Sequence, residues 1–240
     1  MTKKHTGSTR LPILASLGLS LSALAAPEAS EILKKADAIR NPAEAYSLDV
    51  TIENSDGGKT GFAVKIKGGD KTLIRTVSPP KDRGRDLLML GDDMWTYVPN
   101  LKRAVRVALQ QKISGQAANG DIARTRWSSD YEAKIEQEDG DRWVLFLTAR
   151  RKGLTYDKIR LWVQKQSYHP LKAEYLTLGG TALKLITFDN YKTMEGTLRP
   201  TLLLVKDAVQ QDKTSRIVIE KMQSGAILDS VFSESQLGQP

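Results

Sequence analysis

The stretch PPKDRGRDLLMLGDDMWTYVPNLKRAVR, residues 79–106, is the part of the chain around which the rest is arranged. Two short apolar runs, 87–90 and 94–98, are separated by the sequence GDD, which predicts two strands joined by a tight turn. Because side chains alternate along a strand, Trp95 and Tyr97 share one face of the second strand, and its other apolar residues share the opposite face. A ribbon with apolar side chains on both faces requires cover on each side.

One amphipathic helix precedes the strands. Residues 29–39 carry apolar side chains at helical spacing, Ser30 is the candidate N-cap, and Asn41-Pro42 ends the pattern. From residue 45 the period changes to two, and with one interruption this period extends to about residue 222 with short connections rich in Gly, Asp and Asn. The pattern predicts about ten or eleven strands in an antiparallel meander.

The strand pattern lapses between residues 110 and 130. We expect a long loop there, with a turn or two of helix, that crosses the mouth of the sheet and contacts it through Ile113, Ile122 and Trp127. The fold class is therefore mainly β with few helices (α+β). Its expected form is a large curled antiparallel sheet, an open or incomplete barrel covered by the N-terminal helix and this loop.

The N-terminal residues have the pattern of a secretory signal. Lys3, Lys4 and Arg10 precede an apolar run, and Ala23-Leu24-Ala25 fits a small-x-small cleavage site, so we expect cleavage after Ala25 and one domain over residues 26–240. The apolar run is too short to span a bilayer as a helix. These features predict a periplasmic protein that touches membranes only transiently.

Composition excludes several classes of function. The chain has no cysteine, so a hydrophobic core must hold the fold without disulfides, and thiol-based metal or redox chemistry is excluded. Removing the three signal cations from the 36 Lys and Arg residues leaves 33 against 28 Asp and Glu, so the net charge falls from +8 to +5. This mild, interspersed excess indicates a solvated surface and no nucleic-acid binding.

The sequence offers little for catalysis. His169 is the one histidine after the signal segment, and it precedes Pro170 in an expected turn without identifiable partners. No nucleophile elbow, phosphate loop or two-histidine metal spacing occurs. The Asp92-Asp93 and Asp139/Asp141 pairs fall in hairpin turns, where Asp bonds its own backbone. We therefore expect no enzyme activity, no cofactor and no metal.

The abundance of apolar residues on both faces of the strands has two interpretations. A sheet covered by a helix on one side and packed on the other needs such residues for its core alone. Alternatively, the concave face lines a cavity for an acyl chain or a similar hydrophobe. On the second interpretation the cavity wall and rim consist of Leu48, Val50, Ile52, Phe62, Val64, Ile66, Leu88, Leu90, Trp95, Tyr97, Trp127 and Trp143.

Arginines flank the opening ribbon on both sides. Arg83 and Arg85 precede it, and Arg103 and Arg106 follow it. On the cavity interpretation all four are candidate contacts for an anionic head group or a partner protein. The ordinary alternative is that Arg103 and Arg106 lie on an edge strand and guard it against unwanted pairing.

Three segments carry a family resemblance. PPKDRG at 79–84, LGDDMWTYVP at 90–99 with the arginines that follow, and Val231-Phe232-Ser233 with Leu237 resemble the outer-membrane lipoprotein-sorting protein family, relatives of the LolA and LolB carriers. The resemblance extends over essentially the whole chain after the signal. It implies an incomplete antiparallel barrel around helices, an apolar cavity that receives lipid acyl chains, and no enzymatic activity.

The sequence and this resemblance leave two functions open. The first is a monomeric periplasmic carrier for a lipid, a lipoprotein acyl chain or another hydrophobe. Members of the broader branch of the family are often paired with inner-membrane exporters of the resistance-nodulation-division kind, which the resemblance makes a candidate partner. The second is an envelope sensor or exporter-accessory protein that docks a protein partner without carrying lipid.

Overall fold

The computed structural model describes residues 1–2 and 27–239. Apart from its first two residues, the predicted signal segment lies outside the described residues, as does its cleavage site, and the assignment of 26–240 to one domain stays a prediction. In the described ranges no helix is long and apolar enough to cross a membrane.

The described residues form fifteen strands and two α-helices, α1 (Ala29–Arg40) and α2 (Asn119–Ala123). Strands β1 to β8 are Ala45–Asn54, Lys59–Lys67, Lys71–Ser78, Leu87–Leu90, Asp93–Val98, Arg103–Arg106, Lys112–Ser114 and Ala117–Ala118. Strands β9 to β15 are Tyr131–Asp139, Arg142–Ala149, Lys158–Gln164, Pro170–Leu176, Ala182–Met194, Thr197–Asp207 and Thr214–Ser224.

Thirteen of these strands make one open antiparallel sheet. Its order is β6-β5-β4-β3-β2-β1-β15-β14-β13-β12-β11-β10-β9, and the remaining two, β7 and β8, pair separately. Each half of the sheet is a meander, and the halves join where β1 pairs with β15, with Leu48 opposite Met222. The edges are β6 and β9, so the sheet curls without closing into a barrel.

The two faces of the sheet bury separate clusters. The interior face carries the larger one, which includes Val50, Val64, Leu145 and Val205. The outer face carries a small cluster around Leu88 over one end of the sheet. The period of two along each strand explains the separation, because neighbouring residues project to opposite faces.

The interior face is covered by the chain itself. From α1, Ile32, Leu33 and Ala36 pack into the large cluster, and each is at most 1% exposed. The segment from Val107 to Asp130, which contains β7, β8 and α2, packs beside the helix on the same face. The expected cover, an N-terminal helix and a long loop on the concave side, is confirmed.

The C-terminal segment covers the outer face. Two short 3-10 turns, Asp229–Val231 and Glu234–Gln236, bring Phe232 and Leu237 onto the small cluster. Gly238 lies so close to the ring of Tyr97 that a Cβ atom would come within 2.4 Å of it, and its φ is +71°. Only glycine combines this backbone conformation with so close an approach.

Several details differ from the sequence-based predictions. The helix begins one residue before Ser30, so Glu28 is its N-cap and Ser30 lies inside its first turn. The count of ten or eleven strands was too low, and two of the strands that were not predicted, β7 and β8, lie in the segment that was expected to be a loop. The pairing of β1 with β15 was not foreseen, since no local pattern encodes a contact between distant strands.

Candidate ligand-binding cavity

Six of the twelve predicted cavity residues lie together on the interior face. All six side chains are at most 6% exposed and belong to the large cluster; they are Leu48, Val50, Ile52, Phe62, Val64 and Ile66. Trp127 joins them from the covering segment, and Trp143 joins from β10. Trp127 meets Phe188 edge to face at 5.8 Å between ring centroids, and Trp143 lies 5.5 Å from Tyr168.

The other four predicted residues face away from this interior. Leu88, Leu90, Trp95 and Tyr97 belong to the outer cluster beneath the C-terminal segment. Their placement on the cavity wall is therefore corrected, and the reason is the strand period. The residues of β4 and β5 that reach the large cluster are the alternate ones, Leu87, Met89 and Met94.

Two polar residues of α1 fasten the cover. Asp37 accepts hydrogen bonds from the backbone N–H groups of Trp127 (3.0 Å) and Ser128 (2.5 Å). Burial raises the pKa of Asp37, while these two donors act in the opposite direction. Arg40 donates from Nη1 to the carbonyl oxygen of Thr125 at 2.8 Å, and its guanidinium lies 3.9 Å from the ring centroid of Trp127.

Sequence reasoning missed both residues, although a signal was present. Positions 33, 36, 37 and 40 share one helix face at i, i+3, i+4 and i+7, so Asp37 and Arg40 interrupt the apolar stripe begun by Leu33 and Ala36. A charged residue on the buried face of a helix needs a partner inside the protein. That requirement would have pointed to the covering segment.

A charged network ties the covering segment to both ends of the sheet. The carboxylate of Asp130 pairs with Arg124 at 2.5 Å and with Arg151 at 3.0 Å. Arg151 also reaches Asp92 at 2.9 Å, in the turn between β4 and β5, while Arg124 donates to the carbonyl oxygen of Gly91. The turn at Asp92 was predicted correctly; its role in linking two distant hairpins was not.

The interior is largely filled. Two voids beneath the cover measure about 20 Å³ and 30 Å³, far below the several hundred Å³ of a pocket for a drug-sized ligand. A wider cleft of about 320 Å³ opens between β2 to β5 and the covering segment. Its apolar lining is Phe62, Leu87, Val107 and Ile113. Arg85, Lys112 and Asp82 also line it.

The cleft adjoins the larger void. Phe62 of the cleft lies directly opposite Val50 of the void in the pairing of β2 with β1. Side chains paired in this way are about 5 Å apart. Phe62 and Val50 therefore join the wall of the cleft to the wall of the void on one face of the sheet.

The four predicted arginines are exposed but do not form one patch. Arg85 lines the interior cleft, whereas Arg83 lines a depression on the outer face next to Gly238. Arg106 pairs with Asp93 and lies 6.0 Å from the ring of Trp95, on the outer face. Arg103 occupies the other face of β6, which is an edge strand as the alternative interpretation expected.

Further buried polar groups lie in or beside the interior voids. Lys184 and Asp121 form a buried ion pair, and the hydroxyl of Tyr156 donates to Asp121 at 2.8 Å. Burial raises the pKa of Tyr156, and the nearby Asp121 carboxylate adds to the effect. Arg199 is 4% exposed, and burial lowers its pKa to about 10. Sequence reasoning identified none of these groups.

Catalytic machinery is not evident in the described part of the chain. His169 stacks on Tyr191 with ring centroids 4.4 Å apart, and partial burial lowers its pKa. Within residues 1–2 and 27–239 no group of three His, Asp or Glu side chains is arranged to hold a metal ion.

Comparison with known proteins agrees with this architecture. A family model described as an uncharacterized protein matches residues 68–239, and a search of curated proteins found no match. A LolA superfamily protein from Nitrosomonas europaea is 32% identical, with a TM-score of 0.83 over 88% of this chain and 100% of that one.

Two more distant structures share the fold. An outer membrane lipoprotein-sorting protein domain from Vibrio parahaemolyticus is 22% identical, with a TM-score of 0.71 over 88% of this chain and 100% of that chain. A DUF1329 family protein from Desulfovibrio piger is 19% identical, with a TM-score of 0.75 over 87% and 97% of the two chains. The resemblance noted in the sequence is confirmed, and the chain belongs to the LolA superfamily.

Proposed function

We propose that this protein is a periplasmic carrier that binds the acyl chain of a lipid or lipoprotein, or a similar hydrophobe, against the interior face of its sheet. The observation that carries the proposal is a continuous apolar face, covered by α1 and the covering segment and adjoined by a cleft of about 320 Å³. The signal segment read from the sequence supports export. The proposal assigns no catalytic activity to the chain.

On this proposal the cargo takes the place of apolar side chains of the cover. The described conformation is closed, and Ile32, Leu33 and Ala36 of α1 occupy the position that an acyl chain would take. Because the methylenes of the acyl chain replace the apolar side chains of α1, the apolar side chains of the sheet stay buried. Opening then costs chiefly the polar contacts of Asp37 and Arg40, about 1.5–3 kcal/mol for each charged hydrogen bond.

Because opening breaks only these polar contacts, the binding of cargo can supply the free energy that it requires. An open state a few kcal/mol above the closed one is a minor population, and a ligand that binds only the open state shifts the equilibrium toward it. On this proposal α1 is the part that moves, because the bonds of Asp37 and Arg40 join it to the covering segment and their loss frees α1 while the covering segment stays in place.

The proposal is tested by blocking the cleft. In Val107→Trp the indole would fill the space beside Phe62 and Ile113. We expect binding of a fluorescent fatty-acid probe to weaken on the order of tenfold, which is about 1.4 kcal/mol. The matched control is Leu204→Trp, which adds the same side chain at a position 36% exposed on the outer side of β14.

A companion measurement examines cargo directly. Native mass spectrometry of gently purified protein should show added masses that detergent removes and that Val107→Trp lacks. Failure of the wild-type protein to bind the probe, together with the absence of any lipid mass, would refute the proposal. An inner-membrane partner captured through Arg103 and Arg106 alone would then favour the alternative, a docking protein that carries no lipid.

A further inference from the structure

Arg199 is a buried cation without a counter-charge. Its side chain projects from β14 to the same face as Leu203 and Val205, and it is 4% exposed. Nη1 donates to the sulfur of Met222 at 2.8 Å, and buried Nε has no hydrogen-bond partner. Among the described residues no carboxylate lies within 4.0 Å of its guanidinium. A charge buried in this way is costly unless something pairs with it.

A second buried guanidinium faces the same space. Arg40 and Arg199 both line the void of about 30 Å³, together with Asn41 and Tyr46. Arg40 is bonded to the Thr125 carbonyl oxygen and likewise has no carboxylate within 4.0 Å among the described residues. The site thus concentrates positive charge.

The acid nearest this void is already engaged. Asp121 contributes to the lining, but its carboxylate accepts from Lys184, from the Tyr156 hydroxyl and from the N–H of Ala118. It is therefore not available to neutralise the two arginines. Apart from these polar groups the void is walled by apolar side chains of β1, β14 and β15, including Leu48, Val50 and Ile219.

We propose that this void receives the oxyanion head, a carboxylate or a phosphate monoester, of a single-chain amphiphile whose tail lies on the interior face. Guanidinium groups bind such oxyanions through paired N–H donors, and exclusion of water strengthens the interaction. The proposal rests on the carrier function above and specifies the cargo: an anionic amphiphile whose head is held inside the protein and not at the rim.

The geometry fits this assignment. The void of about 30 Å³ has the size of roughly one water molecule in the closed conformation, so it must widen as α1 moves, and a small oxyanion head requires far less widening than a bulky zwitterionic head group. The walls next to Arg199 continue into the apolar interior along Leu203 and Val205. The tail takes the place of the apolar side chains of α1, so Arg40 moves with the helix on binding, whereas Arg199 stays on β14 and is the residue that holds the head.

The test compares heads of different charge on the same tail. Dodecanoate, dodecyl phosphate and dodecanol are titrated against a bound fluorescent probe in the wild-type protein, Arg199→Met and Arg199→Lys. The wild-type protein should prefer the anions to dodecanol by on the order of tenfold or more. Arg199→Met should lose that preference and still bind dodecanol, while Arg199→Lys should keep part of it.

A control variant and competition by small anions separate the possible outcomes. Arg216→Met removes an arginine from the outer side of β15 and should change nothing. Equal wild-type affinity for anions and dodecanol, or an unaltered preference in Arg199→Met, would overturn the inference and leave the carrier function standing. Competition by acetate or inorganic phosphate alone would overturn the amphiphile assignment in favour of a soluble anion. Binding of no amphiphile at all would overturn the carrier function itself.

Discussion

Replacing Arg199 by methionine should make the protein more stable. Burial lowers the pKa of Arg199 from the usual 12.5 to about 10, and a lowering of that size corresponds to about 3 kcal/mol of cost to the charged form. Methionine removes this cost but also the contacts of the guanidinium, so we expect a net gain of about 2 kcal/mol. For a chain of this length the melting temperature should rise by roughly 4–8 °C.

The assay is urea denaturation at pH 7 of the wild-type protein, Arg199→Met and the exposed control Arg216→Met. Only Arg199→Met should shift the midpoint upward. The stability difference should also depend on pH. Between pH 10 and 12.5 the unfolded state binds more protons at Arg199 than the folded state does, so the free energy of unfolding of the wild-type protein should rise relative to that of the variant as the pH rises through this window. An Arg199→Met variant of equal or lower stability would refute the claim that the charge is uncompensated.

Three other perturbations test the cover, the tail and the charged network. Asp37→Asn should speed amide exchange at Trp127 and Ser128 and cost about 1–2 kcal/mol, since a charged acceptor is lost. Gly238→Ala should release the C-terminal tail to proteolysis, whereas Gly225→Ala, where a Cβ meets nothing within 4 Å, should not. Arg151 holds the pKa of Asp92 below its usual value, so Asp92→Asn should cost under about 1 kcal/mol at pH 7, and this cost should disappear as the pH falls through the lowered pKa of Asp92.

The general fold followed from local patterns. The helix at 29–40, the hairpins around Gly91 and residue 140, and the crossing segment at 110–130 were all readable, because each depends on the period and turn chemistry of its own residues. The sequence did not show which face of the sheet Trp95 and Tyr97 occupy. Both faces of β5 are apolar, so alternation alone does not show which face turns inward.

The polar interior was the least predictable part of the site. Asp37, Arg40 and Arg199 look like ordinary surface residues in the sequence, since each belongs to a type that is usually exposed. Their burial depends on tertiary partners that lie far along the chain, as Trp127 does from Asp37. Only the shared face of α1 gave a local hint.

The pairing of β1 with β15 also constrains how the protein folds. Residue 54 meets residue 215 and residue 48 meets residue 222, so the central seam of the sheet joins positions more than 160 residues apart. Contacts of such separation form late, because the chain entropy of closing the intervening loop is lost before the strands can bond. The wall that carries Leu48, Val50 and Ile219 is incomplete until the last strand arrives. If the chain is exported unfolded, as the proposed function implies, its interior wall would therefore form only after the last strand has crossed the membrane.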